Sequence, residues 1–314
     1  MQRVVVAPTA ADLARASEIV RRHLGPTPVV AGPDAVLKLE CLQPTGSFKV
    51  RGALVALEDL AGPARAAGVV TASAGNHGLG VAYAAGVLGI AATIVVPTTA
   101  SPSKVAALRD FPVTLVQHGD DYAAAERHAL AIAATGPTYV SAYNDAPVIA
   151  GNGSVAAEIR EQVEGPLTIV VPVGGGGLVS GVGLWAADHP DVRVVGVEAE
   201  ASTAVSAAVS AGRVVEVAIG ATLADGLAGN LEPGSVTPAL VAAHTDALVT
   251  VTEPEIRHAM RVLAKRHGLA AEGSGAVGLA ALLAHKVDVT GRPVAIVTGR
   301  NITLASLAEV LGSE

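Results

Sequence analysis

Residues 167–181 read LTIVVPVGGGGLVSG: an unbroken apolar run, four consecutive glycines, then a return to apolar and small residues. The run 167–173 is strand-length, and the turn at Gly174, Gly175, Gly176 and Gly177 delivers the chain into a helical stretch. Four glycines in a row are entropically costly, so they mark a backbone that must wrap something closely. A phosphate at a helix N-terminus is the natural candidate. No Lys followed by Ser or Thr comes after the glycines, which excludes a nucleotide-triphosphate loop. A dinucleotide reading stays open, because Glu198 ends the next strand about twenty residues on, where a ribose-binding acid would lie. Against it, the third glycine of that fingerprint is Val179 or Ser180, depending on register.

The same strand–helix unit repeats on both sides. Short β-rich runs at 36–40, 69–73, 92–97, 113–118 and 138–140 precede it, and runs at 192–198, 247–252 and 294–298 follow, with Ala-rich helical stretches between. Thr9 and Asp12 have the spacing of a capping box and open a helix that ends near His23. The expected class is α/β: two doubly wound, mostly parallel sheets covered by helices on both faces, with ligands at the carboxyl ends of the strands. A chain of 314 residues suits about two domains. The stretch 230–238, with its Gly and Pro, reads as an ordinary surface loop.

Composition narrows the partners. Hydrophobic residues make up 51% of the chain but aromatics only 2%, so the core is built from many small side chains. The longest apolar runs end at Pro or Gly well short of a bilayer span, and the start Met1, Gln2, Arg3, Val4, Val5, Val6 carries no export signal. A net charge of -7 without a basic run argues against nucleic acid or an anionic membrane as partner. The single cysteine, Cys41, forbids an internal disulfide and leaves no thiolate cluster for zinc, which fits a cytoplasmic location. A small soluble substrate is the expected partner.

Three further constellations sit at strand ends. Lys49, in Thr45, Gly46, Ser47, Phe48, Lys49, Val50, Arg51, Gly52, falls in the first turn of a helix after a buried-looking strand. An isolated lysine is ordinarily a solvated surface charge. Here the positive helix end and partial desolvation disfavour the ammonium form, as a Schiff-base lysine requires. Ser73, Ala74, Gly75, Asn76, His77 and Gly78 follow the run 69–72 and form either an anion nest, suited to a substrate carboxylate, or a plain tight turn capped by Asn76. Thr298, at the end of the last strand, either caps a helix or bonds a ring nitrogen.

In order and spacing these pieces resemble the fold-type II pyridoxal-phosphate enzymes (tryptophan synthase β-like), and within them the threonine dehydratase and serine racemase family. The likeness extends to residues 148–153, to Thr-Leu-Ala-Asp-Gly at 222–226 and to Ala-Glu-Gly-Ser-Gly-Ala-Val-Gly at 271–278. The resemblance implies pyridoxal 5'-phosphate held between two domains: a large cofactor domain of residues 1–60 and 147–314, and a smaller substrate-side domain of 61–146. It further implies that Lys49 carries the cofactor as a Schiff base, that Gly174 to Gly177 hold its phosphate, and that Asn76 bonds its phenolic oxygen. Phe48 would lie beside the ring and Thr298 would face the pyridine nitrogen. Ser73, Ala74, Gly75, Asn76 and His77 would receive the substrate carboxylate, and Gly226 and Glu272 would wall the pocket. The implied reaction is β-elimination: freed Lys49 takes the α-proton, the β-hydroxyl leaves, and water yields a 2-keto acid and ammonia. A homodimer is expected on the same ground.

The departures sharpen this. Serine racemases of the family carry a second serine where this chain has Ala74, so dehydration with little or no racemisation is expected. The family's divalent-metal site pairs a glutamate like Glu198 with a nearby aspartate; 199–205 contains Glu200 but no Asp, and no metal is expected. Arg300 replaces a glycine; its side chain is expected at the surface or a subunit contact, the alternative being an inward guanidinium that would further oppose ring protonation. No appended regulatory domain is expected. The leading reading is a threonine or serine dehydratase, with 3-hydroxyaspartate dehydratase or serine racemase as rivals within the family. Outside it stand a nicotinamide-binding oxidoreductase and a non-catalytic amino acid binder.

Overall fold

A computed structural model describes residues 4–312; Met1, Gln2 and Arg3, part of the N-terminal run considered above, lie outside them. Ten strands form two sheets: β1 (Val29–Ala31), β2 (Val36–Lys38), β3 (Val69–Ala72), β4 (Ala92–Val96), β5 (Thr114–Gln117), β6 (Thr138–Tyr139), β7 (Leu167–Pro172), β8 (Val192–Ala199), β9 (Ala247–Val251) and β10 (Arg292–Ile296). One sheet has six strands in the order β1-β2-β10-β7-β8-β9, the other four in the order β5-β4-β3-β6. All pairs are parallel except β1 with β2. The α/β class with two parallel sheets is thus observed, and β10 returns to the middle of the larger sheet between β2 and β7.

β7 is buried along its whole length, as expected of a central parallel strand covered on both faces. Helix Ala10–His23 begins with the full capping box of Thr9 and Asp12. Among the described residues no helix is long and apolar enough to cross a membrane. Small residues let the helices approach one another closely. A Cβ on Gly151, in helix Ala146–Gln162, would lie 2.8 Å from the carbonyl of Arg51, and one on Gly80 would lie 3.0 Å from the backbone of Lys49. The helix that begins with Lys49 is therefore gripped from two sides by neighbours without side chains at the contact.

Two local expectations need correction, and one strand was not expected. The strand expected over 36–40 stops at Lys38, and Glu40–Leu42 forms a 3-10 turn instead, because the Glu40 carboxylate turns inward to Arg51. The antiparallel strand β1 lacks the alternation that would announce it. The stretch 230–238 is not a plain surface loop: Leu231 and Thr237 are buried, and Thr237 and Pro238 already belong to helix Thr237–His244.

Candidate active site

Lys49 is the first residue of helix Lys49–Glu58. Its Nζ donates to the carbonyl of Ala142 at 2.7 Å and lies 5.1 Å from the centre of the Phe48 ring. The next residue along, Tyr143, covers the tetraglycine turn: a Cβ on Gly175 would fall 2.3 Å from the Tyr143 ring, and one on Gly177 2.6 Å from its carbonyl. Two consecutive residues therefore bridge the lysine amine and the glycines. Gly176 has φ +85, a conformation that favours glycine, and its bare face admits Thr237, whose hydroxyl donates to Gly175 O at 2.7 Å. Helix Gly177–Ala186 starts here, with first-turn amides that have no acceptor within the helix. The Ser180 hydroxyl, wholly buried in that helix, has no partner.

Ser73, Ala74 and Gly75 leave the end of β3 partly exposed, and the Ser73 hydroxyl accepts from Gly75 N at 3.1 Å. Asn76 is not the cap of the helix Asn76–Leu88; Gly75 holds that position. The Asn76 side chain instead reaches across the cleft, donating to Glu272 Oε1 at 2.6 Å and accepting from Asn301 Nδ2 at 2.6 Å. His77 is buried with Nε2 3.1 Å from the carbonyl of Val140. Thr298 is buried and donates to Ser274 O at 3.3 Å, while Ser274 Oγ accepts from Gly226 N at 3.0 Å. Gly226 and Leu227 in turn back onto Gly174. The backbone joins the first and last constellations directly, through Phe48 N donating to Thr298 O at 3.1 Å and a bridge between Ser47 and Gly299. All four constellations thus meet in one cleft at the carboxyl ends of β2, β3, β7 and β10.

The charges in this cleft are unusual. Burial pulls the Lys49 amine down to about 8, with Glu272 opposing the shift. Burial pushes the Glu272 carboxyl up to about 7; the bond from Asn76 opposes this and Asp225 adds to it. His77 is driven down to about 3 by burial and by the nearby Lys49, so its ring is neutral near neutral pH. At the rim, Lys104 is paired with Asp225 at 2.9 Å.

Beneath the cleft lies a cluster that sequence reading overlooked. Arg51 pairs with Glu40 at 2.7 Å and with Glu158 at 2.7 Å, and Lys38 pairs with Glu158 at 2.7 Å, with none of the four side chains more than 5% exposed. Two positive and two negative groups are therefore sealed together, fastening β2 and helix Lys49–Glu58 to helix Ala146–Gln162. Tyr143, Asn144, Glu232 and Thr237 were missed as well. Tyr143 OH accepts from Glu232 N at 2.6 Å, and Asn144 accepts from Val236 N at 3.0 Å, so the stretch 230–238 braces the glycine turn from behind. A surface hollow of about 400 Å³ beside Leu13, Ser17, Leu184 and Trp185 contains none of these residues.

Two single residues stand out beside the cleft. The Arg300 guanidinium turns inward to the carbonyl of Cys41, which corrects the expectation of a surface or subunit contact. The other is Glu198, the counterpart of the family's metal-binding glutamate. Its carboxylate caps helix Ala204–Ala211, accepting from Val205 N at 2.9 Å, Ser206 N at 3.2 Å and the Ser206 hydroxyl. Glu200 is exposed, and among the described residues no three acidic, His or Cys side chains are grouped to hold a metal.

Residues 20–299 match the family described as pyridoxal-phosphate dependent enzyme. L-threonine ammonia-lyase of Thermotoga maritima is 43% identical over 285 residues, covering 90% of this chain and 71% of that protein. The catabolic L-threonine dehydratase of Escherichia coli strain K12 is 37% identical over 88% of this chain and 85% of its own length. Among solved structures, maize serine racemase superposes with a TM-score of 0.91 at 30% identity, covering 98% of each chain.

Proposed function

The chain belongs to the pyridoxal-phosphate-dependent enzymes, and we propose that it is an ammonia-lyase that converts threonine, and with it serine, to a 2-keto acid and ammonia. One observation carries the reading: the Lys49 amine, able to lose its proton near neutral pH, lies one residue from the Tyr143 cover of the tetraglycine turn. The donor set suits the cofactor. The turn Gly174 to Gly177 with the orphaned Ser180 hydroxyl suits its phosphate, Asn76 its phenolic oxygen, Phe48 the side of its ring, and Thr298 the ring nitrogen. When bound, the cofactor supplies an electrophilic aldehyde and a conjugated electron sink.

The chain's own groups do the rest. Lys49 would be the base that takes the α-proton, and the carbonyl of Ala142 holds one of its N–H groups so that its direction is set. The amides at the start of helix Asn76–Leu88, with Ser73, Ala74 and Gly75, receive the substrate carboxylate. Neutral His77 adds no charge there. Ala74 has no hydroxyl to act as a second acid or base on the opposite face, which favours elimination over racemisation. The Thr298 hydroxyl would hold a neutral ring nitrogen, because it cannot stabilise a charged one as a carboxylate would. Gly226 and Glu272 wall the pocket.

We take residues 61–146, which carry the four-stranded sheet, as the substrate-side domain, and 1–60 with 147–314 as the cofactor domain. A cytoplasmic homodimer completes the proposal, resting on the resemblance and on the lone buried Cys41. The test is ammonia and keto-acid release across D- and L-threonine, serine and 3-hydroxyaspartate. Threonine and serine turnover that vanishes in Lys49→Ala supports the proposal. Turnover confined to 3-hydroxyaspartate, or retained in Lys49→Ala, overturns it.

A further inference from the structure

We propose that Glu272 is a positioning residue that, together with Asn301, orients the amide of Asn76 so that an N–H faces the cofactor's oxygen. The proposal rests on the cofactor reading above and assigns Glu272 a task beyond walling the pocket.

The orientation follows from counting donors and acceptors. Asn301 Nδ2 lies 2.9 Å from Thr45 O and 2.6 Å from Asn76 Oδ1. Two acceptors around one nitrogen use both of its hydrogens and leave the Asn301 amide a single sensible orientation. Asn76 must then turn its oxygen toward Asn301 and its nitrogen toward Glu272, whose Oε1 accepts at 2.6 Å. One hydrogen of Asn76 Nδ2 is used there, and the second remains for a ligand oxygen. If Glu272 offered no acceptor, the amide could rotate away from this alignment.

The surroundings hold Glu272 to the task. Its backbone N–H donates to Gly299 O at 3.1 Å, and a Cβ on Gly299 would come within 2.3 Å of its carboxylate oxygen, so only glycine there leaves it room. It caps the N-terminus of helix Gly273–Leu283 without bonding that helix through its side chain. The charged groups that face it are Lys49 at the start of helix Lys49–Glu58, Asp225 in the turn Asp225–Leu227 and Lys104 in helix Pro102–Arg109. No cation pairs with it directly among the described residues, and burial pushes its carboxyl up to about 7. Its charge also supports the ammonium form of Lys49, so neutralising it should shift protonation around Lys49 to lower pH.

The test compares Glu272→Leu, Asn76→Ala, their double variant and Glu272→Gln in the holoenzyme. The readouts are cofactor Kd by equilibrium dialysis and the pH midpoint of the visible absorbance, with the melting of the cofactor-free protein as the folding control. Glu272→Leu should weaken cofactor binding about tenfold, the worth of a hydrogen bond to a charged acceptor. The double variant should bind no worse than Asn76→Ala, because one residue acts through the other. Glu272→Gln, which keeps an acceptor, should restore most of the affinity yet move the absorbance midpoint to lower pH. An unchanged Kd in Glu272→Leu, additive losses in the double variant, or an unchanged midpoint in Glu272→Gln each overturns the proposal. A wild-type protein without visible absorbance would instead remove the cofactor reading itself.

Discussion

Substituting alanine for Gly175 probes the cradle with a single methyl group. The new Cβ would lie 2.3 Å from one carbon of the Tyr143 ring and 2.4 and 2.6 Å from two others. Carbon atoms normally rest about 3.5–4.0 Å apart, so the ring would have to retreat by more than about 1 Å. It has little freedom to do so. Its hydroxyl is tied to Glu232 N, and its backbone neighbour Ala142 holds the Lys49 amine. Overpacking of this kind costs about 1–3 kcal/mol, which corresponds to a rise of roughly 5- to 150-fold in cofactor Kd if the strain falls on the cradle. Titration of the cofactor-free protein with pyridoxal phosphate, followed by absorbance, gives the value. Tyr143→Ala removes the obstacle, so Tyr143→Ala/Gly175→Ala should bind like Tyr143→Ala alone. Gly25→Ala is the control, since nothing lies within 4 Å of that site. Binding by Gly175→Ala within about twofold of wild type, or a double variant showing the sum of both losses, would refute the claim that the ring sets the shape of the turn.

Three further outcomes follow from the buried charges. The rate at which cofactor-free protein captures the cofactor should rise about tenfold per pH unit up to about 8 and then level off, because only the unprotonated Lys49 amine reacts; stopped-flow absorbance showing the rise continuing toward the ordinary lysine value of 10.5 would contradict this. Lowered from 10.5, the amine contributes stability that is fully present above the unfolded value and is lost as pH falls through 8. Replacing Arg51 with Met strands Glu40 opposite no cation and leaves Glu158 with Lys38 alone, so a loss of about 3–5 kcal/mol is expected in thermal or urea unfolding. Adding Glu40→Gln, which removes the stranded charge while Glu158 still pairs with Lys38, should recover part of it, and a loss below about 1 kcal/mol would show the cluster to be dispensable.

Much of this architecture is legible in the sequence, and the reasons are physical. The run 167–173 is apolar without interruption because β7 is buried on both faces, and period and length suffice to identify such a strand. Thr9 and Asp12 are three residues apart, so their capping box is a local fact. The glycines of 174–177 and the lysine at 49 stand out because their chemistry costs something that folding alone does not repay.

What escaped depends on contacts between distant parts of the chain. Glu40 belongs to a strand by local preference, yet it turns into a 3-10 corner to meet an arginine eleven residues on and a helix beyond it. Gly and Pro in 230–238 suggest solvent, whereas Thr237 is buried beneath Gly175. Arg300 has the composition of a surface residue, but the Cys41 carbonyl lies where the guanidinium can reach it. Tyr143 over Gly175 and Glu272 beside Asn76 join separate strand ends that only the folded sheets bring together.

The covalent role of Lys49 is open to one direct measurement: reduction of the holoenzyme with borohydride, digestion and mass spectrometry of every lysine-containing peptide. The cofactor mass on the peptide containing Lys49, with Lys38, Lys104, Lys265 and Lys286 unmodified, is the expected result. Cofactor fixed on one of those other lysines, or a protein that turns over threonine with no reducible bond at residue 49, would contradict it.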